Sequence, residues 1–400
     1  MQEVTVAWEE TNRARFTRKA NAIITIYRAD GKTPMAGNQD ILSLSQIKNG
    51  DLLSSIITQD KVVFTIKNRN SAFSYDAEND SDVYKNARCE IYYGFEDAEG
   101  TGYDQIRGGI YYISEVKMLK NGEQYQFTAM SVIGFMSEKA HQFVASAENC
   151  YELAMNVMNQ AVYSDGIPIT SEGEPYSDIF ICDQELLESI GIEYIWGVDD
   201  YSLAEILQMI ACMSGCILYV DRTGKIHINK SSDITTHYVL SGRIAYKPVE
   251  VSYAPRVGIV MLTTDHGNTY NDSGDVPGNE SGGEQKVKIP IMDDYDASGE
   301  LAQDMYNYLS KCRKRFKANV RFDPALDIYD VISVPIKGAV VPAIVTGINA
   351  SFNGAWKADL SCMALNPDNI EFDLRICDIE MLTIEQLETL RINQVHYIPS

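Results

Sequence analysis

The feature that most constrains the fold of this chain is a period-two alternation of apolar and polar residues. From Glu3 to about Met136 it recurs in runs separated by Gly, Asn and Asp turns: AIITIYRA, KVVFTIKN, CEIYYGF, GIYYISEVKML and YQFTAMSVIGF. Successive side chains of a strand point to opposite faces, so these runs predict antiparallel strands with one buried face. In MLKNGEQYQF, Asn121 and Gly122 predict a tight hairpin turn, because both accept positive φ angles. We therefore predict a β-barrel or sandwich here.

Helical spacing replaces this alternation in the middle of the chain. ENCYELAMNVMNQAV places its apolar residues on one helix face: Leu153, Val157, Met158, Ala161 and Val162. A second helix is predicted to begin at Ser202, which forms a capping box with Glu205, and to end at Gly215. CILYVDRTGKIHI then predicts a strand, a turn and a strand, with Gly224 in the left-handed conformation. Residues 145–235 are therefore predicted to be a small α/β module.

Alternation returns from Arg243 and continues, after one long helix predicted at 298–317, in three strand-like stretches. Basic residues close that helix, where they suit the negative end of its dipole: Lys311, Arg313, Lys314, Arg315 and Lys317. Residues 265–285 are too poor in apolar residues to pack, and they are predicted to be a mobile hairpin tip. In RFDPALDIYDVISVP, Pro324 and Asp330 mark the turn into a late barrel strand.

These patterns predict an α+β fold that is mainly β, with two antiparallel β-barrels and an inserted α/β module. A chain of 400 residues exceeds the usual size of one hydrophobic core, so several domains are expected. The predicted boundaries are 1–144 for the first barrel region, 145–235 for the module, 236–365 for the second barrel region with its long helix, and 366–400 for a C-terminal helix, Thr383 to Leu390, and tail.

The chain is strongly acidic, with 34 Lys and Arg against 56 Asp and Glu and a formal charge of −22. This charge repels nucleic-acid phosphates and anionic lipids, so specific nucleic-acid binding is not expected. The first residues lack the basic and apolar regions of a signal peptide, and no apolar run approaches the length of a membrane span. We interpret the eight scattered cysteines as reduced, buried thiols of a protein made in a cytosol.

No catalytic, cofactor-binding or metal-binding residues are predicted. Cys212 and Cys216 lie four residues apart on one predicted helix face, as two metal ligands do, but nothing nearby completes a set of four. Packing is therefore the favoured interpretation of both thiols. His227 alternates with Ile226 and Ile228 in a strand, so we expect its side chain to point to solvent. The remaining histidines stand in no His-Glu-x-x-His arrangement: His141, His237, His266 and His396.

Other patterns that carry chemistry are incomplete. The loop around Asn271, Asp272 and Asp275 lacks the glycine and the closing glutamate of a calcium-binding EF-hand. The pairs Asp199-Asp200 and Asp293-Asp294 are adjacent in sequence, which gives no evidence for two carboxyl groups across a glycosidase cleft. Phosphate-binding loops, Gly-x-Ser-x-Gly elbows and dinucleotide fingerprints do not occur. The 24 tyrosines lie mostly in alternating strands, where packing is favoured over a sugar-binding face.

Four stretches, in this order, resemble the tail hub proteins of tailed bacteriophages and the hub part of type VI secretion spikes. They are ILSLSQIKNGDLLSSIITQDKVVFTIKNRNSAF, RGGIYYISEVK, SLAEILQMIACMSGCILYVDRTGKIHI, and FDPALDIYDVISVP with VTGINASFNGAWKADLSCMAL. The resemblance covers residues 20–365. DRTGKIHI resembles the hairpin of the family's α/β module, at Asp221, Gly224 and Ile226. LDIYDVISVP resembles the family's Leu-x-x-Gly-Asp-x-Val approach to the last barrel, with Tyr329 where glycine is usual.

The resemblance implies two tail-tube-like barrels in one chain, so that a homotrimer would form a ring of pseudo-sixfold symmetry. It implies a non-enzymatic hub at the virion tail tip, made in the host cytoplasm, that extends or closes the distal tail tube. Implied partners are the tail tube or distal tail ring, the tape measure protein and tip or fibre proteins, and DNA would pass through the lumen at ejection. A hexameric distal-tail ring, a tail-associated cell-wall hydrolase and a carbohydrate-binding protein remain open as alternatives.

Overall fold

The computed structural model describes residues 19–27, 34–53, 58–68, 86–96, 102–137, 147–161, 179–192, 201–230, 238–239, 245–255, 257–264, 267–272, 283–289, 291, 295–311, 314–336 and 339–364. The predicted C-terminal helix, Thr383 to Leu390, lies outside these residues. Within them, every helix is too short or too polar to cross a membrane.

The first part of the chain contains strands β1 (Ala20–Tyr27), β2 (Pro34–Asn49), β3 (Gln59–Lys67), β4 (Arg88–Glu96), β5 (Tyr103–Leu119) and β6 (Gln124–Met130). The middle part contains α1 (Val132–Met136), α2 (Cys150–Asn159), β7 (Phe180–Cys182), α3 (Gln184–Glu188), α4 (Leu203–Met213), β8 (Ile217–Val220) and β9 (Ile226–Asn229). The last part contains β10 (Tyr238–Val239), β11 (Glu250–Tyr253), β12 (Val257–Thr264), β13 (Gly267–Asp272), β14 (Gly283–Lys288), α5 (Tyr295–Lys311), β15 (Lys314–Arg321), β16 (Val331–Ile336), β17 (Ala339–Phe352) and β18 (Trp356–Ala364).

One 12-stranded sheet organises the molecule. Its first six strands lie in the order β1-β4-β5-β6-β3-β2, and β1 also pairs with β2, which closes them into a barrel. The sheet continues from β2 through β17, β18 and β15 to β11, and β16 and β10 extend it on the other side of β17. The mainly β fold with tube-like antiparallel barrels, predicted from the alternation, is confirmed.

The same five-strand arrangement occurs twice. The first repeat has the spatial order β4-β5-β6-β3-β2 and the second has the order β16-β17-β18-β15-β11. In both, the first strand in sequence lies at one edge, the second strand lies beside it, and the fourth and fifth strands form a hairpin. Each hairpin begins with a long strand, β5 or β17, which pairs with two different strands of its own repeat along its length. The chain therefore contains an internal structural duplication.

Two apolar cores support these elements. The core of the two barrels includes residues of both repeats, and Tyr93 of β4 contacts Trp356 of β18 with ring centroids 4.6 Å apart. The second core joins the α/β module to β12, β14 and α5. In the module, Ser202 and Glu205 form the predicted capping box at the start of α4, and Gly215 follows its end at φ +63°. Both features of that helix are confirmed.

Four predicted elements differ from the structure. YQFTAMSVIGF divides into β6 and helix α1, because four of the five residues of α1 are buried, which period-two alternation does not allow. The hairpin after β5 is confirmed, but its positive φ angles of 48° and 88° fall at Lys120 and Gly122 in a longer loop. Asn68 holds that loop, since its side chain donates a hydrogen bond of 3.0 Å to the Gly122 carbonyl.

The predicted helix at 298–317 ends earlier, at Lys311, and the residues from Lys314 form strand β15. Alternation explains this ending, because Phe316 and Val320 point into the barrel core while Lys317 is exposed. The predicted hairpin tip at 265–285 contains the strands β13 and β14, and residues 273–282 lie outside the described part. Both strands pair through their main chain with β12, whose side chains supply the buried face.

Candidate functional site

The two repeats meet along one line of strand pairing. Residues Leu44–Asn49 of β2 pair antiparallel with Gly347–Phe352 of β17. β17 is available there because its pairing with β16 ends at Ile344. We call this contact the internal joint. It makes one continuous sheet of the two barrels, so their relative position is fixed by main-chain hydrogen bonds as well as by side-chain packing.

A buried set of opposite charges lies beneath the internal joint: Lys48, Asp60, Arg222 and Asp327. Lys48 Nζ donates to both Asp327 carboxylate oxygens at 2.9 and 3.0 Å and lies 3.5 Å from Asp60. Arg222 Nε donates to Asp327 at 3.1 Å. These residues belong to β2, β3, the turn between β8 and β9, and the loop before β16. This charged junction therefore ties the first repeat, the α/β module and the second repeat to one point.

The pKa values of the charged junction follow from burial and charge. Burial opposes ionisation of Asp327, but the positive charges of Lys48 and Arg222 outweigh it and lower the pKa of Asp327 to about 2. Burial likewise opposes the charge on Lys48, yet Asp327 and Asp60 outweigh it and raise the pKa of Lys48. Burial raises the pKa of Asp60, and the attraction of Lys48 does not offset it. The Lys48–Asp327 pair is therefore the strongly ionised part of the cluster.

Gln46 connects the charged junction to the interior of the first barrel. Its amide nitrogen donates to the Tyr111 hydroxyl at 2.6 Å, and its amide oxygen accepts from the Tyr93 hydroxyl at 3.1 Å. The same nitrogen lies 3.4 Å from an Asp60 carboxylate oxygen. Each polar atom of the Gln46 side chain therefore has a partner although the residue is buried.

Tyr329 holds an unusual backbone conformation at the edge of the charged junction. Its φ angle is +66°, in the left-handed region that glycine adopts freely and that costs other residues about 1–2 kcal/mol. The main chain is held there by neighbours, since the Tyr329 amide donates to the Val345 carbonyl at 2.7 Å. The Asp327 amide also donates to an Asp330 carboxylate oxygen at 2.6 Å. Tyr329 therefore has a backbone geometry that glycine adopts freely.

The side chain of Tyr329 compensates for this strain. It is fully buried, and its hydroxyl accepts a hydrogen bond of 3.1 Å from the Asp51 amide and lies 3.3 Å from the Thr58 hydroxyl. Gly50 leaves the space for the ring, because a Cβ atom at that position would overlap the Tyr329 hydroxyl. The ring also packs edge-on against Tyr219 of β8, with centroids 6.0 Å apart. Tyr329 thus connects the second repeat to the first repeat and to the module.

The two cysteines that were considered as metal ligands do not form a metal site. Cys212 lies in α4, but Cys216 lies beyond the end of that helix, so the two do not share a helix face, which corrects the prediction. Both are buried in the module core, and burial raises the pKa of Cys212 to about 12. Within the described residues, no group of three or more His, Cys, Asp or Glu side chains is arranged to hold a metal ion.

The prediction that the His227 side chain points to solvent is wrong. Its side chain is 12% exposed, its Nε2 lies 3.0 Å from an Asp221 carboxylate oxygen, and its ring stacks on Tyr219 at 4.6 Å. Alternation predicted the face correctly relative to Ile226 and Ile228, which are buried. The opposite face is covered by Tyr219, which alternation alone does not reveal. Other predicted candidates lie outside the described residues: His141, His237, His266, His396, Asp275, Asp199-Asp200 and Asp293-Asp294.

Comparison with known proteins gives likeness in structure rather than in sequence. No family model and no curated protein matches the chain. A tail protein from Neisseria meningitidis MC58 superposes with a TM-score of 0.55 at 10% identity, covering 86% of this chain and 96% of that chain. A 43 kDa tail protein of prophage MuSo2 from Shewanella oneidensis gives 0.54 at 10% identity, covering 88% and 99%. The chain has the fold of phage tail proteins. The resemblance found in the sequence is thus confirmed for the fold.

The same fold occurs in part of a larger chain. A chain of the lidded Francisella PdpA–VgrG complex superposes with a TM-score of 0.51 at 9% identity, covering 88% of this chain and 53% of that chain. The tail-protein fold of this chain therefore corresponds to about half of that larger protein.

Sequence reasoning missed the charged junction, although one signal for it was present. In LSLSQIKNGD the alternation places Gln46 and Lys48 in phase with Leu44, on the buried face. A lysine and a glutamine in that phase indicate buried polar partners. Their partners Arg222 and Asp327 are distant in sequence, so the pairing itself was not predictable from spacing.

Proposed function

We propose that this chain is the structural hub of a phage tail tip, a ring component that extends the distal tail tube. The observation that carries the proposal is the duplicated barrel with its internal joint, because two barrels side by side in one sheet are the unit from which a tube wall is built. Structural likeness to two tail proteins over 86% and 88% of the chain supports it.

A homotrimer is the assembly that fits this proposal. Three chains of two barrels each would present six barrels to the neighbouring tube, and would do so with one kind of contact between copies. The tail tube or distal tail ring would bind one side of the ring, and tip or fibre proteins would bind the other. The tape measure protein and the ejected DNA would occupy the channel.

The proposed role is structural rather than enzymatic. The charged groups of the junction are bound to one another, and the buried thiols have pKa values raised by burial, as Cys150 and Cys212 show. Lys48 and Asp327 connect separate parts of the chain. Such an arrangement fixes the two repeats and the module relative to one another, as a structural component of a tube requires.

Light scattering on the purified chain, with negative-stain images of the same fraction, tests the proposal. We expect a mass of three chains and ring-shaped particles with a central channel. A hexameric ring would move the assignment to a distal-tail ring. A stable monomer that clears peptidoglycan in a zymogram would contradict the structural role.

A further inference from the structure

The internal joint shows how one repeat binds another. The first strand of the first repeat, β2, pairs with the fourth strand of the second repeat, β17. It does so along the stretch of β17 that lies beyond its pairing with β16. In the internal joint Gln46 lies directly opposite Ala350, and both side chains are buried.

The two matching strands recur at the outer ends of the duplication. β5 corresponds to β17, and its pairing with β4 ends at Tyr112. The main chain of Ile113 still exchanges hydrogen bonds with Asn86 and Ala87, and residues 115–119 pair with β6 on one side. β11 corresponds to β2, pairs with β15 on one side, and is the last strand in the order of the sheet. Each copy of the chain therefore carries both halves of a second joint, at opposite ends of the molecule.

The side chains at these two ends correspond to those in the internal joint. The bulge of β5 lies between Ile113 and Glu115, and that of β17 lies between Val345 and Gly347. Counted from these bulges, Met118 of β5 takes the place of Ala350. Counted across the sheet from the same point, Val251 of β11 takes the place of Gln46. Met118 and Val251 are both apolar, and both are exposed.

At the same two edges, apolar side chains on the core face of the sheet are exposed to solvent. Met118 of β5 is 48% exposed although Tyr125, directly opposite on β6, is 2% exposed. Val251 of β11 is 41% exposed although Phe316, directly opposite on β15, is 1% exposed. Tyr253 at the end of β11 is 66% exposed. Such residues continue the buried face of the barrel into solvent, which indicates a surface that a partner covers.

We propose that β11 of one copy pairs antiparallel with residues 115–119 of β5 in a second copy, as β2 pairs with β17 within the chain. The inference rests on the proposed function, since it supplies the contact between copies of the ring. Val251 of one copy then lies opposite Met118 of the next. The contact joins different surfaces of the two copies, so repetition produces a closed ring rather than an isolated pair, and it covers both sheet edges.

Disulfide trapping tests this pairing. Directly opposite residues of antiparallel strands have Cβ atoms about 4.5–5.5 Å apart, close enough for cysteines to bond after small shifts. We expect Met118→Cys mixed with Val251→Cys to give covalent dimers on mild oxidation, and the double variant to give the full covalent ring. Each single variant alone should give no cross-link above that of the parent chain. Ser45→Cys with Ser351→Cys, opposite each other in the internal joint, should bond without a change of mass.

A surface variant gives an independent measurement. Tyr253→Asp should lower the mass found by light scattering to that of one chain, because it places a charge in the joint. Tyr103→Asp is the matched control, since Tyr103 is a 42% exposed tyrosine at the opposite end of β5. Rings that form without the Met118–Val251 cross-link, or cross-links from one single variant alone, would overturn the joint and leave the proposed function standing. A chain that stays monomeric at every concentration would overturn both.

Discussion

Replacement of Tyr329 measures the strain stored at the charged junction. The residue combines φ of +66° with a fully buried ring, so its backbone is unfavourable while its side chain is favourable. A series of Tyr329→Phe, Tyr329→Gly and Tyr329→Ala separates the two contributions. Phe removes only the hydroxyl, Ala removes the ring and keeps the strain, and Gly removes both the ring and the strain.

The expected magnitudes follow from these contacts. Loss of the hydroxyl costs about 1 kcal/mol, because the Asp51 amide loses its acceptor. Loss of the buried ring costs about 3–5 kcal/mol in the alanine variant. Glycine recovers about 1–2 kcal/mol of backbone strain and loses about 0.4–1 kcal/mol to its more flexible unfolded state. We therefore expect the stability order Tyr, Phe, Gly, Ala, with Gly more stable than Ala by roughly 1 kcal/mol.

Urea unfolding followed by Trp356 fluorescence is the suitable assay. Trp356 contacts Tyr93 across the shared barrel core, and a Trp8→Phe, Trp196→Phe background leaves it as the single tryptophan. Midpoints are compared only where the slopes agree, because a chain of several domains need not unfold in two states. An alanine variant as stable as the glycine variant would refute the argument from backbone strain.

Further expectations concern the same region. Gly50→Ala should destabilise the chain by about 1–3 kcal/mol through overlap with Tyr329, and the loss should vanish when Tyr329 is replaced by Gly, as a double-mutant cycle of urea midpoints would show. Lys48→Met should cost about 3–5 kcal/mol, because Asp60 loses its cation and Asp327 keeps only Arg222, and a cost below about 1 kcal/mol would contradict this role of Lys48. Because the folded pKa of Asp327 is about 2 and the unfolded value about 4, its ionisation should contribute about 2 kcal/mol above pH 4, lost as pH falls towards 2. Asp327→Asn should therefore weaken the dependence of stability on pH in this range. Asp60→Asn should not, because folding raises the pKa of Asp60.

Alternation predicted the strands well because strands such as β6, β15 and β18 alternate between buried and more exposed residues. KRFKANVR has the same alternation and forms β15, although its basic residues were interpreted as the end of a helix. The helix α4 was predictable for a local reason, the Ser202–Glu205 capping box. Patterns within about ten residues were therefore reliable where they had one physical explanation.

Contacts between distant residues were not predictable in this way. Lys48 and Asp327 are 279 residues apart, and nothing in their spacing indicates that they pair. Tyr329 shows the intermediate case, since the motif only marked it as standing where glycine is usual, and the structure gives it a positive φ angle that glycine adopts freely. The strands β13 and β14 were missed because their sequences, GNTYND and GEQKVK, are too poor in apolar residues to show the pattern of a half-buried strand.

The internal duplication also has a consequence for the cost of assembly. The joint between β2 and β17 forms within one chain, so its partners are present at a fixed effective concentration and do not separate on dilution. A ring made from chains of one barrel would lose rotational and translational freedom at every barrel, at about 4–15 kcal/mol for each association. In a ring of two-barrel chains, every second seam is formed when the chain folds. Half of the seams are then complete before any two copies meet, and only the other half depends on how much protein the cell has made.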